Sequence, residues 1–302
     1  MAPPDPAALI PEAEFAALVG HRFPGGSYRV EHWENWLITD CTGRAPMPDR
    51  LVHPIVLFHA PILGANTSIG ELFRLGGASG TSGSVGLVGY DWEYLDLIHE
   101  DVDYVVEGGI VSAERRTTET GAIEDHLAFR IEMRDGERPV ARVTNRWRFY
   151  RRRPPAASGG SAGPAESPSE ASGGAPIPSW EMPSVDPARM KTMAAVLRDP
   201  YPVHWDRSVN GRLGIAGRVI NQGPLNLGYI ANMLMAWSGP SSIRRLAVSF
   251  GSPVLDRDHV VAGGCVREVV DDIAHCNVWL ARGDETVVTG VAEVFTPGAS
   301  RA

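Results

Sequence analysis

Asp199 and His204 stand five residues apart in RDPYPVHWD (198–206), a carboxylate and an imidazole separated by two prolines. Pro200 and Pro202 keep the stretch out of a regular helix, because each fixes its own φ and lacks an amide donor. A carboxylate and an imidazole presented from a rigid loop and sharing one water form an acid/base pair. Further on, Gly223-Pro224 opens an apolar segment. Proline suits the first turn of a helix, whose free amides and positive dipole end suit an oxyanion or enolate. Chemistry of this kind needs no metal and no redox cofactor, and neither is expected. The sequence has no H-E-x-x-H and no Walker A or dinucleotide fingerprint.

The elements that must position these groups are legible in the pattern. PLNLGYIANMLMAW (224–237) places Leu227, Ile230, Leu234 and Trp237 at helical spacing, and Gly239-Pro240 ends it. A helix with so little polar surface must be wrapped by other structure. The wrapping is supplied by RLAVSF (245–250), HVVAGGCVREVV (259–270), AHCNVWLA (274–281) and TVVTGVAEVF (286–295), which alternate and break at turn signals. A helix packed by an antiparallel sheet is an α+β layer.

The pattern occurs twice. EDVDYVVEGGIVSAE (100–114) set over LDRDHVVAGGCVREV (255–269) gives seven identities in fifteen positions, pairing Val106 with Val261 and Gly108 with Gly263. Upstream, FHAPIL (58–63) lies over NQGPLN (221–226), with Pro61 over Pro224. Downstream, RDGERPV (134–140) lies over ARGDETV (281–287), and the second copy has a shorter turn than TTETGAIEDH (117–126). Between the copies, residues 154–179 are almost wholly Pro, Gly, Ala, Ser and Glu, a composition that cannot bury enough apolar surface to order itself. The expected organisation is therefore an N-terminal unit over 1–150, a flexible linker over 151–179 and a C-terminal unit over 180–302.

Composition narrows the function classes. The chain has 302 residues, 43% hydrophobic and 21% charged, which is ample for a core. A net charge of −8 argues against nucleic acid or an anionic membrane as a partner, even though 27 of its 28 basic residues are Arg. Cys41, Cys265 and Cys276 form no C-x-x-C pair, the N-terminus lacks a signal-peptide pattern, and no run is long enough to span a membrane. A reducing, cytoplasmic setting is expected.

Asp199-Pro200-Tyr201-Pro202-Val203-His204 resembles the signature Asp-x-Asn-Pro-(aliphatic)-His of MaoC-like (R)-specific enoyl-thioester hydratases. The resemblance implies a double hotdog, a degenerate first unit building substrate space and a hydratase-type second unit. It implies that Asp199 and His204 activate the water added across an α,β-unsaturated acyl thioester of coenzyme A or a carrier protein, or removed from a 3-hydroxyacyl thioester. It implies that the Gly223 amide polarises the thioester carbonyl. Tyr201 stands where the family has Asn, and Gln222 where it has His before the helix glycine. These departures keep a second reading open, a biosynthetic dehydratase, isomerase or Michael-type cyclase. A non-catalytic acyl-thioester-binding subunit is a third, and a hotdog thioesterase a fourth.

Tyr201, Trp205, Gln222 and Asn226 are the expected substrate-binding residues around the dyad, while Asn232 is read as an internal hydrogen-bonding group. Carried back without gaps, the helix superposition sets Trp36 and Cys41 opposite Asp199 and His204, so one site per chain is expected. RWRFYRRR (146–153) reads as a strand with arginines alternating on the solvent face, with attraction for coenzyme A phosphates or an acidic carrier protein as its functional reading. The fused halves suit either a monomer or a homodimer.

Overall fold

The computed structural model describes residues 10–78, 85–119, 121–152, 174–212, 215 and 217–297. The first unit runs α1 (Glu12–Ala16), β1 (Gly26–Arg29), α2 (His32–Cys41), α3 (Ala60–Gly64), α4 (Ile69–Leu75), β2 (Val85–Tyr94), β3 (Asp103–Thr117), β4 (Ile123–Asp135) and β5 (Arg138–Arg152). The second runs β6 (Ala175–Met182), α5 (Pro187–Val196), α6 (Arg207–Arg212), α7 (Gly223–Ser238), β7 (Ile243–Phe250), β8 (Val260–Val270), β9 (Ile273–Arg282) and β10 (Glu285–Phe295). Residues 153–173, the middle of the expected linker, lie outside the described residues. Its two ends do not belong to a linker: Arg151 and Arg152 finish β5, and 175–179 are in β6, paired antiparallel to β8.

All ten strands join one antiparallel sheet in the order β1-β3-β4-β5-β2-β7-β10-β9-β8-β6. The order reads alike from either end, because β2 and β7 meet at the centre in the register Asp91↔Ala247. The two units are thus fused edge to edge about a pseudo-twofold axis, and α2 packs on its counterpart α5. The apolar α7 is buried from Gly223 to Met235 and is enclosed by β6 to β10, as an all-round hydrophobic helix must be.

The first unit has no continuous counterpart of α7. A 3-10 turn over Pro54–Phe58 and the short α3 take its place, broken at His59, whose φ of −106° departs from helical values. Backbone bonding fixes the correspondence between units. Val52 N donates to Ile98 O as Asn221 N does to Val254 O, and Glu100 N donates to Arg50 O as Asp256 N does to Val219 O. Isolated bridges Leu51↔His99 and Ile220↔Leu255 match. Pro54 therefore stands where the second unit has Gly223, and the superposition of Pro61 on Pro224 is out of register.

The strand superposition also slips, by one residue. Tyr104, Val106, Gly108 and Ile110 face the core in β3, and Val260, Ala262 and Gly264 do so in β8, so Val106 matches Ala262 rather than Val261. Asp101 and Arg257, both at positive φ, pin the same offset, and their amides reach Val30 and Val185 alike. With side chains alternating every residue, a one-residue slip exchanges the faces. The hairpin comparison does hold. Gly136 and Gly283 take matching positive-φ turn positions, and Asp271-Asp272 closes β8 to β9 in fewer residues than separate β3 from β4.

Candidate active site

The segment after α5 carries the dyad. Arg198 turns left-handed at the helix end, releasing Asp199 into the loop. One Asp199 oxygen accepts from the Tyr201 amide at 2.9 Å, an Asx turn that fixes the carboxylate ahead of Pro202. Pro202 opens a 3-10 turn over Pro202–His204, which brings the imidazole back over the carboxylate. His204 Nδ1 donates to the Ile220 carbonyl at 2.7 Å. A carbonyl only accepts, so the proton of the neutral ring is on Nδ1 and Nε2 presents a lone pair. Nε2 lies 3.6 Å from the second Asp199 oxygen, with both side chains largely buried. Burial pushes the Asp199 carboxyl up from the usual aspartate value, opposed by the nearby His204 and the Tyr201 amide.

Asp199 and His204 open onto a cavity of about 270 Å³. Its second-unit wall includes Asn221, Gln222, Gly223, Asn226 and Phe250, and its first-unit wall includes Phe58, Ile69, Phe73, Leu87 and Trp147. At the floor, α7 begins. A side chain on Gly223 would place its Cβ 2.3 Å from Leu87 Cδ1, 3.0 Å from the Tyr90 hydroxyl and 3.3 Å from Phe250 Cζ, so the strands close directly on the glycine backbone. Neither Gly223 N–H nor Leu225 N–H has an acceptor among the described residues, and Pro224 has no N–H. Gly223 lines the cavity, so the first turn presents its free amide there.

Of the residues expected around the dyad, Tyr201, Gln222 and Asn226 line the cavity. Tyr201 serves as wall: its hydroxyl donates to the Val85 carbonyl at 3.2 Å and its ring meets Phe73 and His204 edge-on. Gln222 donates from Nε2 to the Met190 carbonyl at 2.8 Å, tying the start of α7 to α5. Trp205 points elsewhere, 45% exposed and outside the cavity wall, because the 3-10 turn ends at His204 and reverses the next side chain. Asn232 has the internal role expected of it, donating to Thr42 O and bonded to His53. Trp36 and Cys41 lie inside α2, the counterpart of α5, and so have no correspondence to Asp199 and His204.

In the basic run, Arg146 keeps the expected exposed position and Arg148 a half-buried one. Arg151 is buried, against the expected solvent face, and donates to Asp125 at 2.8 Å, which Arg115 also holds. Arg148 lines the cavity and stacks on Tyr150. The residues missed from sequence are those of the first-unit wall together with Tyr90 and Asn221. The apolar character of the wall residues signals burial but not which cavity they border.

No protein-family model matches the sequence, and no curated protein matches it. Solved structures do match in fold. A MaoC-like dehydratase superimposes with a TM-score of 0.69 at 14% identity, over 93% of this chain and 99% of its own. A MaoC-like dehydratase from Phytophthora capsici gives 0.68 at 11% identity, over 97% and 100%. A conserved hypothetical protein from Mycobacterium tuberculosis described as a double hotdog gives 0.60 at 12% identity, over 92% and 96%. Among the described residues no helix is long and apolar enough to cross a membrane. The likeness is one of architecture, and it extends over nearly the whole chain: this is a double hotdog, the fold of its MaoC-like dehydratase neighbours.

Proposed function

We propose that the protein is a hydratase or dehydratase of an acyl thioester, adding water to an α,β-unsaturated acyl group or removing it from a 3-hydroxyacyl group. The observation that carries this reading is the pairing of His204 Nε2 with Asp199 at 3.6 Å beside the open start of α7. The two facing atoms are both acceptors, so a water that donates to each is held between them. His204 and Asp199 draw a proton from that water as its oxygen bonds to the β-carbon. The electron pair of the C=C bond moves onto the thioester oxygen as an enolate, which the Gly223 N–H receives. A proton returned to the α-carbon completes the addition, and dehydration runs the same steps in reverse. The apolar first-unit wall, with Phe58, Phe73 and Trp147, takes the acyl tail. Tyr201, Gln222 and Asn226 shape the pocket around the reacting end, whereas the exposed Trp205 has no part in it. Coenzyme A and a carrier protein are the two candidate thioester partners, in a cytoplasmic setting.

The test is loss of enoyl-thioester absorbance with crotonyl-CoA and with longer and branched enoyl-CoAs. Wild type should turn over, and Asp199→Asn and His204→Ala should each lose about a hundredfold or more, the scale of lost acid/base catalysis. Undiminished turnover in both variants would remove the dyad from the mechanism. Release of free thiol in place of hydration would identify a thioesterase. A rearranged product carrying no solvent oxygen would identify an isomerase or cyclase, the reading that Tyr201 and Gln222 favour by departing from the hydratase signature. Thioester binding without turnover would identify a binding subunit.

A further inference from the structure

Asn226 lies one turn into α7, 4% exposed and in the cavity wall. Helical side chains lean toward the N-terminus, so its carboxamide covers the turn that begins at Gly223. The amide's orientation is set by its neighbour. Asn221 Nδ2 donates to Asn226 Oδ1 at 2.7 Å. With Asn226 Oδ1 engaged, its Nδ2 is left with two N–H donors and no acceptor among the described residues. Asn221 is itself buried and held by its own amide, which donates to Val254 O at 2.7 Å.

Asn226 is nine-tenths buried in the cavity wall, and its Nδ2 has no protein acceptor among the described residues, which leaves it free to donate to a ligand there. It stands beside the Gly223 N–H, the other open donor on the same turn. We infer that Asn226 Nδ2 and the Gly223 amide together form a two-donor seat for the thioester oxygen, with Asn221 as the positioning residue that turns the Asn226 amide toward it. A second donor matters because charge accumulates on that oxygen as the enolate forms, and a donor fixed in advance stabilises the charge without reorganising. The inference rests on the acyl-thioester reading above and assigns a role within it.

Two measurements on the full chain separate the inference from that reading. The first is turnover of an enoyl-CoA by wild type, Asn226→Asp and Asn221→Ala. Asn226→Asp keeps the size and the bond from Asn221 but replaces both donors by an acceptor. The second is the absorbance of bound 2,4-hexadienoyl-CoA, whose band moves to the red when its carbonyl is polarised. For Asn226→Asp the maximal turnover rate should fall by about a hundredfold to a thousandfold, with KM little changed and the red shift lost. Asn221→Ala should lose about tenfold and part of the shift, an effect that a purely structural role would not produce. Should Asn226→Asp fail to fold, Asn226→Ala takes its place in both measurements. Equal turnover and an equal shift in wild type and Asn226→Asp would overturn the seat and leave the hydratase reading standing. A shift on binding that Asn226→Asp abolishes, with no turnover by wild type, would uphold the seat and overturn the hydratase reading. No binding by wild type would overturn both.

Discussion

Protonation of His53 should weaken the fold as pH falls, through a bond that ties the two units together. His53 is fully buried at the start of the 3-10 turn over Pro54–Phe58. Its Nε2–H donates to Asn232 Oδ1 at 3.0 Å, since the Asn232 Nδ2 is already donating to the Thr42 carbonyl. Its Nδ1 accepts from the Ile55 amide at 3.3 Å. Both nitrogens are thus engaged in the neutral ring, and a second proton would face an amide donor in a fully buried site. Burial accordingly pulls the imidazole down from 6.5 to about 4, opposed by the Asn232 bond and helped by Arg44. The unfolded chain therefore takes up this proton first as pH falls. Stability from His53 is complete above 6.5, declines as pH drops toward about 4 and levels off below, a total of about 3 kcal/mol. Urea unfolding of wild type and His53→Gln at several pH values between 8 and 4 isolates this contribution, because every other titrating group is common to both. The stability difference should shrink by about 3 kcal/mol across that range. Parallel curves, or an NMR titration of the His53 ring near 6.5, would refute the reasoning.

Gly223→Ala should lower Tm and kcat together, because its Cβ meets Leu87 Cδ1 at 2.3 Å and the Tyr90 hydroxyl at 3.0 Å, and overpacking of that kind costs about 1–3 kcal/mol; thermal unfolding and the enoyl-CoA assay read the two effects. Phe73→Ala should cost about 3–5 kcal/mol and move the preference toward longer or bulkier acyl chains, since the ring forms cavity wall between Trp147 and Tyr201. A chain-length series of kcat/KM beside a urea titration checks both. Calorimetric titration with a non-hydratable saturated acyl-CoA should give one site per chain, and a stoichiometry of two would contradict the asymmetry of the units.

What could be read from sequence was whatever depends on local chemistry. Asp199, Pro202 and His204 constrain their own loop, and α7 and the four strands after it follow from periodicity and turn residues. The hairpins at Gly136 and Gly283 were legible for the same reason. What could not be read depends on partners distant in the chain. Phe58, Phe73 and Trp147 look like any core residues until the fusion of β2 to β7 brings them over α7. Trp205 is adjacent to His204 in sequence, yet the end of a 3-10 turn sends it to solvent. Identity misled where it was counted without regard to strand faces: the paired glycines at 108–109 and 263–264 align one residue away from the register that backbone bonding sets. The expected linker failed at its ends because Ala175, Pro176 and Ile177 pair with β8.

The same correspondence explains why only the second unit can carry the proposed site. At the helix start that matches Gly223 the first unit has Pro54, which offers no N–H to a developing oxyanion. Between α2 and that proline lie only residues 42–53, whereas residues 197–222 join α5 to Gly223, and the longer connection is the one that carries Asp199 and His204. The position matching Gln222 is His53, sealed in the contact between units. The cavity on that side, bordered by Tyr94 at the end of β2, by Asp96 and Leu97 after it and by Ile243 and Arg244 of β7, measures about 40 Å³ against about 270 Å³. Those border elements are the pseudo-twofold mates of the Phe250–Pro253 and Val85–Leu87 walls of the larger cavity. The fusion therefore divides labour: one unit retains the dyad and an open helix start, and the other, lacking both, supplies the apolar wall that the first cannot build for itself.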